Sequence, residues 1–568
     1  MAGDATRPAA VAIALLVMLF ALACVTAART HSLCNDEAKH ILTGYRVLER
    51  QQCCLGGDNS PLTALFAVPA WCAGATPLAG LEMGAPVHEA AHTWLFQQTD
   101  PEGVLFAARC MTIAVGAAML VALAALAWRH FGPLAAVAGV AAVACDPTAL
   151  GHFSLVSTDA LVAAAVIGCF TVLDFWSRGP SVARAACVGL ALGIAFLAKF
   201  TAVALGPAVV LFVWLHRDRF AAPRIRTAAG QALACGLAAA VVVWVGYGAH
   251  IGPRLPFFEL PGLAAGLRQS RVYAVGGMPS FFCGWLGWYH PGYFWFAPLV
   301  KVPIPLLLLW AATVASAVMS PARKSPLVRA AALAAGCFFA TFAASRLCIG
   351  IRHLLPAFAV AALCVAAAAG ALQTAPRAWR RPAGAGFAIL LAWLGVEAAR
   401  TTPNHLSYFN QWAGGPRGGM RLLGDSNLDW GQDLATLRRT MDALGLDEVI
   451  LSYFGNTDPA FYRIRYQYLP TMLYAAGHGD HVVDPRREVI AISVNNLQGT
   501  FLKVPEMYTW LWAREPFATA GDSIWLFDVT GDAEAHARLR AIYQAEGLHG
   551  LATAEAAKLQ AAAGQPHR

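Results

Sequence analysis

The chain has 568 residues, of which 58% are hydrophobic and only 13% charged, and its mean hydropathy is +0.53. That balance excludes a string of ordinary soluble domains and points to a polytopic membrane protein. The net charge of +8 is spread over short loops between apolar runs, so it reports orientation and argues against nucleic-acid binding.

A spanning helix needs about 20 mostly apolar residues. The runs that qualify are 9–28, 103–127, 132–146, 156–175, 183–198, 200–215, 229–249, 293–318, 326–345, 350–372 and 383–399. Eleven spans put the two ends of the chain on opposite sides, and the first run also has the look of a signal peptide. Breaks are expected at Asp146 to Asp159, at Lys199 and at Arg346 to His353, because a charge at the centre of a lipid-facing helix costs about 3 kcal/mol. Alternate loops collect Arg129, Arg178, Arg184, Arg217, Arg219, Arg224, Arg226, Arg323, Lys324, Arg329, Arg377, Arg380 and Arg381, which makes that side cytoplasmic. The first outer loop (30–102), the aromatic outer loop (250–292) and the tail from about 401 then face the periplasm or a lumen.

The first outer loop opens with NDEAKHILTGYRVL, Asn35 to Leu48. Asn35 is a good N-cap, and Asp36 and Glu37 fall in the first turn, where the exposed amides favour negative charge. Ile41, Tyr45 and Leu48 recur on one face and Asp36, His40 and Thr43 on another, so one side is expected on the bilayer and the other toward water or a cleft. By itself this is also what a capped amphipathic connector looks like. Asp58, Asn59, Ser60, Pro61 and Leu62 follow as a turn, and His88 and His92, though spaced like helical metal ligands, lack a third ligand and read as a solvated face.

Further outer residues gather at the span ends. Asp146, His152 and Asp159 bring acids to the boundary, either as helix caps, as groups orienting an acceptor hydroxyl, or as hard oxygen ligands sharing a divalent cation. Lys199, Arg352, His353, Arg346 and Lys301 oppose them with positive charge suited to a lipid phosphate, snorkelling toward headgroups being the plainer account of any one alone. The run Phe281 to Phe296 is an interfacial aromatic belt or a sugar-stacking surface. Of fourteen cysteines, Cys110, Cys169 and Cys235 sit in apolar runs, whereas Cys34, Cys53, Cys54 and Cys72 flank the first outer helix, where a disulfide stays open.

The tail carries no spanning run. Leu434, Leu437, Met441 and Leu444 mark a helix, and DEVILSYFG, REVIAISV and DSIWLFDV read as buried strands, giving a small α/β domain over 401–568 beside a membrane domain over 1–400. Asp425, Ser426, Asn427, Asp429, Trp430 and Asp433 form a polar loop near a strand end, which serves either ligand recognition or turn chemistry.

The ordered series Asp36–Glu37, Asp58 to Leu62, LVSTDALVAA with Asp159, GLALGIAFLAKFTAV with Lys199, GIRHLLP with Arg352 and His353, LSYFNQWAGGP and LLGDSNLDWGQDL resembles the GT-C class of integral membrane glycosyltransferases. Within it the chain is similar to the family 39 group of protein O-mannosyltransferases, lipid A aminoarabinose transferases and bacterial phospholipid carrier-dependent glycosyltransferases. Relatives usually place a histidine and two prolines after the acid of the second motif, whereas Asn59 and Ser60 stand at the first two of those positions here. The resemblance implies an α-helical GT-C membrane protein with a small extracytoplasmic α/β domain, placed in a bacterial inner membrane. It implies an inverting hexosyl or pentosyl transfer from a polyprenyl phosphate donor to an acceptor hydroxyl of a protein, lipid or glycan. Asp36, with Glu37, would act as catalytic acid pair and base, and Asp58, Asp159, His40, Asp146 and His152 would contact sugar, acceptor or a divalent cation. A secondary transporter or flippase of lipid-linked substrates is the rival, but the polar residues crowd one boundary and no internal repeat is evident.

Overall fold

The computed structural model describes residues 6–49, 60–75, 87–220, 225–248, 260–319, 325–373, 375–471, 481–484 and 486–563. Asp58, Asn59, Cys53, Cys54, Arg323 and Lys324 therefore lie outside the described residues. The chain divides into two compact units. One comprises Met1–Ala28, Asp36–Met278 and Tyr289–Trp412, the other Arg29–Asn35, Pro279–Trp288 and Ala413–Arg568.

The first unit is helical. Among the described residues seven helices are long and apolar enough to cross a membrane, and up to nine spans result if two bent pairs each count as one. The other two expected spans are shorter apolar helices, Val182–Ala198 and Phe200–Leu215. Chain chemistry accounts for where these helices stop. Asp100 accepts a bond from Gly103 N at 2.9 Å to start Pro101–Phe131, and Ser157 and Ser181 cap Thr158–Ser177 and Val182–Ala198. Lys199, in extended backbone, separates Val182–Ala198 from the 3-10 turn Phe200–Leu205, as its charge predicts. At Asp146 the helices Pro133–Ala144 and Pro147–Phe153 are inclined by 65°. The expected span 293–318 bends by 116° between Tyr293–Lys301 and the helix beginning at Ile304, where Pro303 lacks an amide donor.

The Glu37–Leu48 helix does not lie on a bilayer surface. Glu37 through Tyr45 are all buried, because the chain at 61–72 and the Val87–Phe96 helix cover it. Tyr45 donates to Ala75 O at 2.6 Å, and its ring meets Trp94 at 5.2 Å. Gly44 permits the close approach of the 3-10 turn Pro61–Thr63: a Cβ there would stand 2.1 Å from Thr63 O. Ser60 caps that turn and donates to the Leu197 carbonyl, tying this loop to the helix that ends beside Lys199.

The second unit holds seven short strands in the described residues: β1 (Ser280–Phe282), β2 (Trp285–Gly287), β3 (Glu448–Ser452), β4 (Arg465–Tyr468), β5 (Val489–Ser493), β6 (Ala518–Ala520) and β7 (Ile524–Asp528). β1 and β2 form an antiparallel hairpin, and the others a mixed sheet of order β4-β3-β5-β7-β6. β3 pairs parallel with β4 and β5, whereas β7 runs antiparallel to β5 and β6. The strands expected from DEVILSYFG, REVIAISV and DSIWLFDV are β3, β5 and β7, and β4 and β6 complete the edges. Leu434, Leu437 and Met441 of the Leu434–Leu444 helix close one face with Val449, Leu451, Val489 and Leu526.

Candidate active site

Asp36, rather than Asn35, occupies the N-cap position of the Glu37–Leu48 helix, and its side chain makes no capping bond. Its carboxylate faces cations instead: Lys39 Nζ at 3.2 Å from Oδ1 and Arg352 Nη1 at 3.6 Å from Oδ2. The Asp36 side chain remains 23% exposed. Burial alone would raise its carboxyl, but Lys39, Arg352, His40 and His88 outweigh it and hold Asp36 well below the usual carboxylate range.

Glu37, the next residue, points elsewhere. Arg109 holds it in a two-pronged pair, Nε to Oε1 at 2.8 Å and Nη2 to Oε2 at 2.5 Å, and Val156 N donates to Oε1 at 2.9 Å. Arg109 also donates to Ala28 O at 2.7 Å. Both charged side chains are 1% exposed or less, so both carboxylate oxygens of Glu37 are spent on joining three segments.

Asp159 lies in the first turn of Thr158–Ser177, and because Ser157 supplies the cap its carboxylate is directed at other partners. Lys199 Nζ sits 2.5 Å from Oδ1, His353 Nδ1 3.6 Å from Oδ1, and Arg352 Nε 4.0 Å from Oδ2. Arg352 thus bridges Asp36 and Asp159. His353 is 3.4 Å from Lys199 Nζ and stacks on Phe342 at 4.9 Å, with ring planes 8° apart. His152, buried on the Pro147–Phe153 helix, stands in the field of Arg352, Asp159 and His353. Five expected residues, Asp36, Asp159, Lys199, Arg352 and His353, therefore form one network of ion pairs and polar contacts, with His40 and His152 at its edge.

Other candidates have their direct partners elsewhere, although Lys301 still lies in the field of His152 and Asp146. Lys301 donates to Leu406 O at 3.0 Å and lies 4.5 Å from the Phe409 ring. Arg346 is exposed, 5.4 Å from the Tyr289 ring. Asp146 caps Pro147–Phe153 through Thr148 N at 3.1 Å. His92 is buried beside Phe96 rather than solvated, and Cys34 and Cys72 are unbridged.

In the second unit Asp425, Asn427, Asp429 and Trp430 are all buried in a loop bonded within itself and to Asn495, which accepts from Asp425 N at 2.7 Å and donates Nδ2 to Asp429 O at 2.8 Å. Ser426 N donates to Asp425 Oδ1 at 2.5 Å, Asn427 Nδ2 to Gly424 O at 2.8 Å, Gly431 N to Asp429 Oδ1 at 3.1 Å, and Trp430 N to Gln432 Oε1 at 2.7 Å. Burial pushes the Asp429 carboxyl up to about 8. This arrangement is turn and loop chemistry of the kind Asp and Asn supply.

Arg109 and Lys39 are the partners of these acids that sequence reasoning passed over. A lone arginine within an apolar run signals a buried partner, and a lysine three residues after an acid signals a helical pair.

An apolar cavity of about 1000 Å³ is lined by Phe196, Ala202, Val203, Leu237, Trp244 and Leu263 among others. Phe196 and Ala202 each lie three residues from Lys199 in the chain.

Residues 91–244 match the family model described as dolichyl-phosphate-mannose-protein mannosyltransferase. No curated protein matches the chain. Among solved structures the chain is similar to ArnT from Cupriavidus metallidurans bound to undecaprenyl phosphate, with 13% identity and a TM-score of 0.45 over 92% of this chain and 98% of that one. The same protein in its apo state gives 14%, 0.42, 91% and 97%. The oligosaccharyltransferase AglB from Archaeoglobus fulgidus, in complex with an inhibitory peptide and a dolichol-phosphate, gives 14% and 0.43 over 83% of this chain and 61% of that one. The chain is an integral membrane protein, and its residues 91–244, which hold Arg109, Asp159 and Lys199, match the family model of dolichyl-phosphate-mannose-protein mannosyltransferases.

Proposed function

We propose that the chain moves a sugar from a polyprenyl-phosphate-linked donor to an acceptor hydroxyl, with inversion, on the side of the membrane opposite its arginine-rich loops. The observation that carries this reading is the placement of Arg352 between Asp36 and Asp159, with Lys199 and His353 in the same network. An ionised acid and a cluster of cations are what the two ends of such a displacement need.

The acceptor oxygen attacks the anomeric carbon while the bond from that carbon to the phosphate oxygen breaks, the electron pair leaving with the lipid phosphate. Asp36 accepts the hydroxyl proton, late in the step, because its neighbours keep it a weak base. Lys199 and Arg352 stabilise the charge growing on the departing phosphate, and His353, held flat by Phe342, adds a positioned ring nitrogen. The apolar cavity whose wall includes Phe196 and Ala202 accommodates the prenyl chain. Glu37 and Arg109 position the Asp36 segment rather than react.

A shared divalent cation does not suit the described donors. Asp36 and Asp159 already face Lys39, Lys199 and Arg352, so positive charge exceeds negative and the site favours an anion.

The bacterial inner membrane, a periplasmic second unit and the choice of acceptor are part of the same proposal. The test is sugar release from polyprenyl phosphate donors by purified wild type and Asp36→Asn. Transfer should fall by about 10²- to 10⁴-fold. Undiminished transfer removes Asp36 as the base.

A further inference from the structure

The Thr158–Ser177 helix has Asp159 in its first turn and Asp174 in its last. At 1.5 Å per residue these lie about 22 Å apart along the helix. Around Asp174 a second charged cluster forms, which the proposed reaction does not use. His130 Nε2 is 2.9 Å from Oδ1, Arg129 Nε 3.5 Å from Oδ2, and Arg178 pairs with Oδ2 as well. One buried carboxylate thus anchors three basic groups, yet Arg129 and Arg178 keep 49% and 41% of their side chains exposed. Each guanidinium carries five N–H donors in a fixed fork, and one carboxylate engages only a few of them. Arg129 and Arg178 line a cavity of about 420 Å³ together with His130, Asp174, His216 and the exposed Asp218.

A second, apolar cavity of about 680 Å³ lies between the Thr6–Thr30 and Pro101–Phe131 helices. Ile13, Val17 and Ala21 line one side, and Val121, Ala125 and Trp128 the other. Arg129 lines both cavities. An apolar groove ending at a guanidinium that is already held in place by an acid matches a molecule with an acyl chain and a phosphate. A free inorganic anion accounts for the charged cavity only.

We propose that the chain holds one anionic glycerophospholipid at the membrane face opposite the Asp36 site, its acyl chain between the Thr6–Thr30 and Pro101–Phe131 helices and its phosphate on Arg129 and Arg178. His130 donates to Asp174 and thereby fixes the anchor on which both arginines rest. The occupant is a lipid of the surrounding bilayer, selected by charge. This site is independent of the proposed transfer reaction.

Native mass spectrometry of the full chain in detergent, titrated with phosphatidylglycerol, phosphatidylcholine and inorganic phosphate, tests the proposal. Wild type should bind one phosphatidylglycerol at least about tenfold more tightly than phosphatidylcholine, the worth of one charge-assisted contact. Arg129→Gln should remove that preference. Val121→Trp, at a position 56% exposed and so tolerant of bulk, should fill the groove and weaken phosphatidylglycerol binding without changing inorganic phosphate binding. Equal affinity for the two lipids in wild type overturns the proposal. So does phosphatidylglycerol binding unchanged in both variants, and phosphate binding lost in Arg129→Gln with lipid binding unaltered in Val121→Trp assigns the charged cavity to a free anion instead.

Discussion

Lys199 Nζ lies 2.5 Å from Oδ1 of Asp159, although the two residues come from different helices and the lysine is the residue at which one of them ends. The pair sets a cation at a fixed height, and the same ammonium is 3.4 Å from His353. If Lys199 stabilises a departing phosphate, Lys199→Gln should lower kcat/KM by about 10²-fold, as loss of one preorganised donor does. Steady-state transfer assays on Lys199→Gln, Asp159→Asn and the double variant check this. Additive losses would mean that the two residues act separately.

The cations around Asp36 set a pH expectation. A carboxyl held below its usual value stays ionised while pH falls through the range near 4, so the stability it adds is present above about 4 and lost only below it. The rate of transfer should therefore show no acid limb from Asp36 above about pH 4. An acid limb near 6 in the wild-type pH–rate profile that disappears in Asp36→Asn would contradict this.

Glu37→Gln should behave as a stability variant. It leaves the buried Arg109 without its counter-charge, which costs about 3–5 kcal/mol. Thermal unfolding in detergent should show a large drop, and Glu37→Met combined with Arg109→Met should recover part of it. A Glu37→Gln protein as stable as wild type yet inactive would restore Glu37 to the chemistry.

Gly44→Ala tests the approach between the Glu37–Leu48 helix and the Pro61–Thr63 turn. The added methyl would meet Thr63 O at 2.1 Å, so backbone has to move, at a cost of about 1–3 kcal/mol. Because Ser60 of the same turn is bonded to Leu197 O, two residues before Lys199, transfer should fall along with stability. Unaltered melting would show that the turn yields freely.

In the second unit His536 lies between Glu488, 3.1 Å from Nε2, and Glu555, 2.7 Å from Nδ1, while Lys558 pairs with both acids. Burial would lower this imidazole, but the bonds to the two glutamates prevail and raise it to about 9. A raised histidine stabilises fully below its unfolded value of about 6.5, and that contribution fades as pH climbs through 9. Unfolding followed from pH 6 to 10 should show this loss, and His536→Gln should flatten it. A wild-type curve unaffected over that interval would place the imidazole's titration elsewhere.

Much of the network was readable from the chain because its members are charges at the ends of apolar runs, where an ionised side chain is costly unless a partner or water meets it. Asp159, Lys199, Arg352 and His353 all carry that mark, and so do the breaks at Asp146 and Lys199. The separate duties of Asp36 and Glu37 were not readable. Two neighbouring acids look alike until Arg109, far along the chain, chooses between them. Lys301 is placed by a contact its charge does not announce: its partner is the backbone carbonyl of Leu406, at the start of LSYFNQWAGGP, and a carbonyl carries no side-chain signal. The 116° bend falls at Lys301 and Pro303, whose charge and missing amide mark a break that the mean hydropathy of the run conceals. The edge strands β4 and β6 are short and only partly covered, which leaves little pattern to detect.

The adjacency of Asp36 and Glu37 has one last consequence. Consecutive helical residues project about 100° apart, so a single helical start offers Asp36 to Lys39 and Arg352 and turns the next carboxylate, Glu37, round to the buried Arg109. Exchange of the two letters would present the longer side chain to Arg352 and leave the shorter one a methylene short of the present reach to Arg109. The order of the dipeptide, more than its acidity, is what the architecture encodes: the anchored letter sets the angle at which its neighbour is offered.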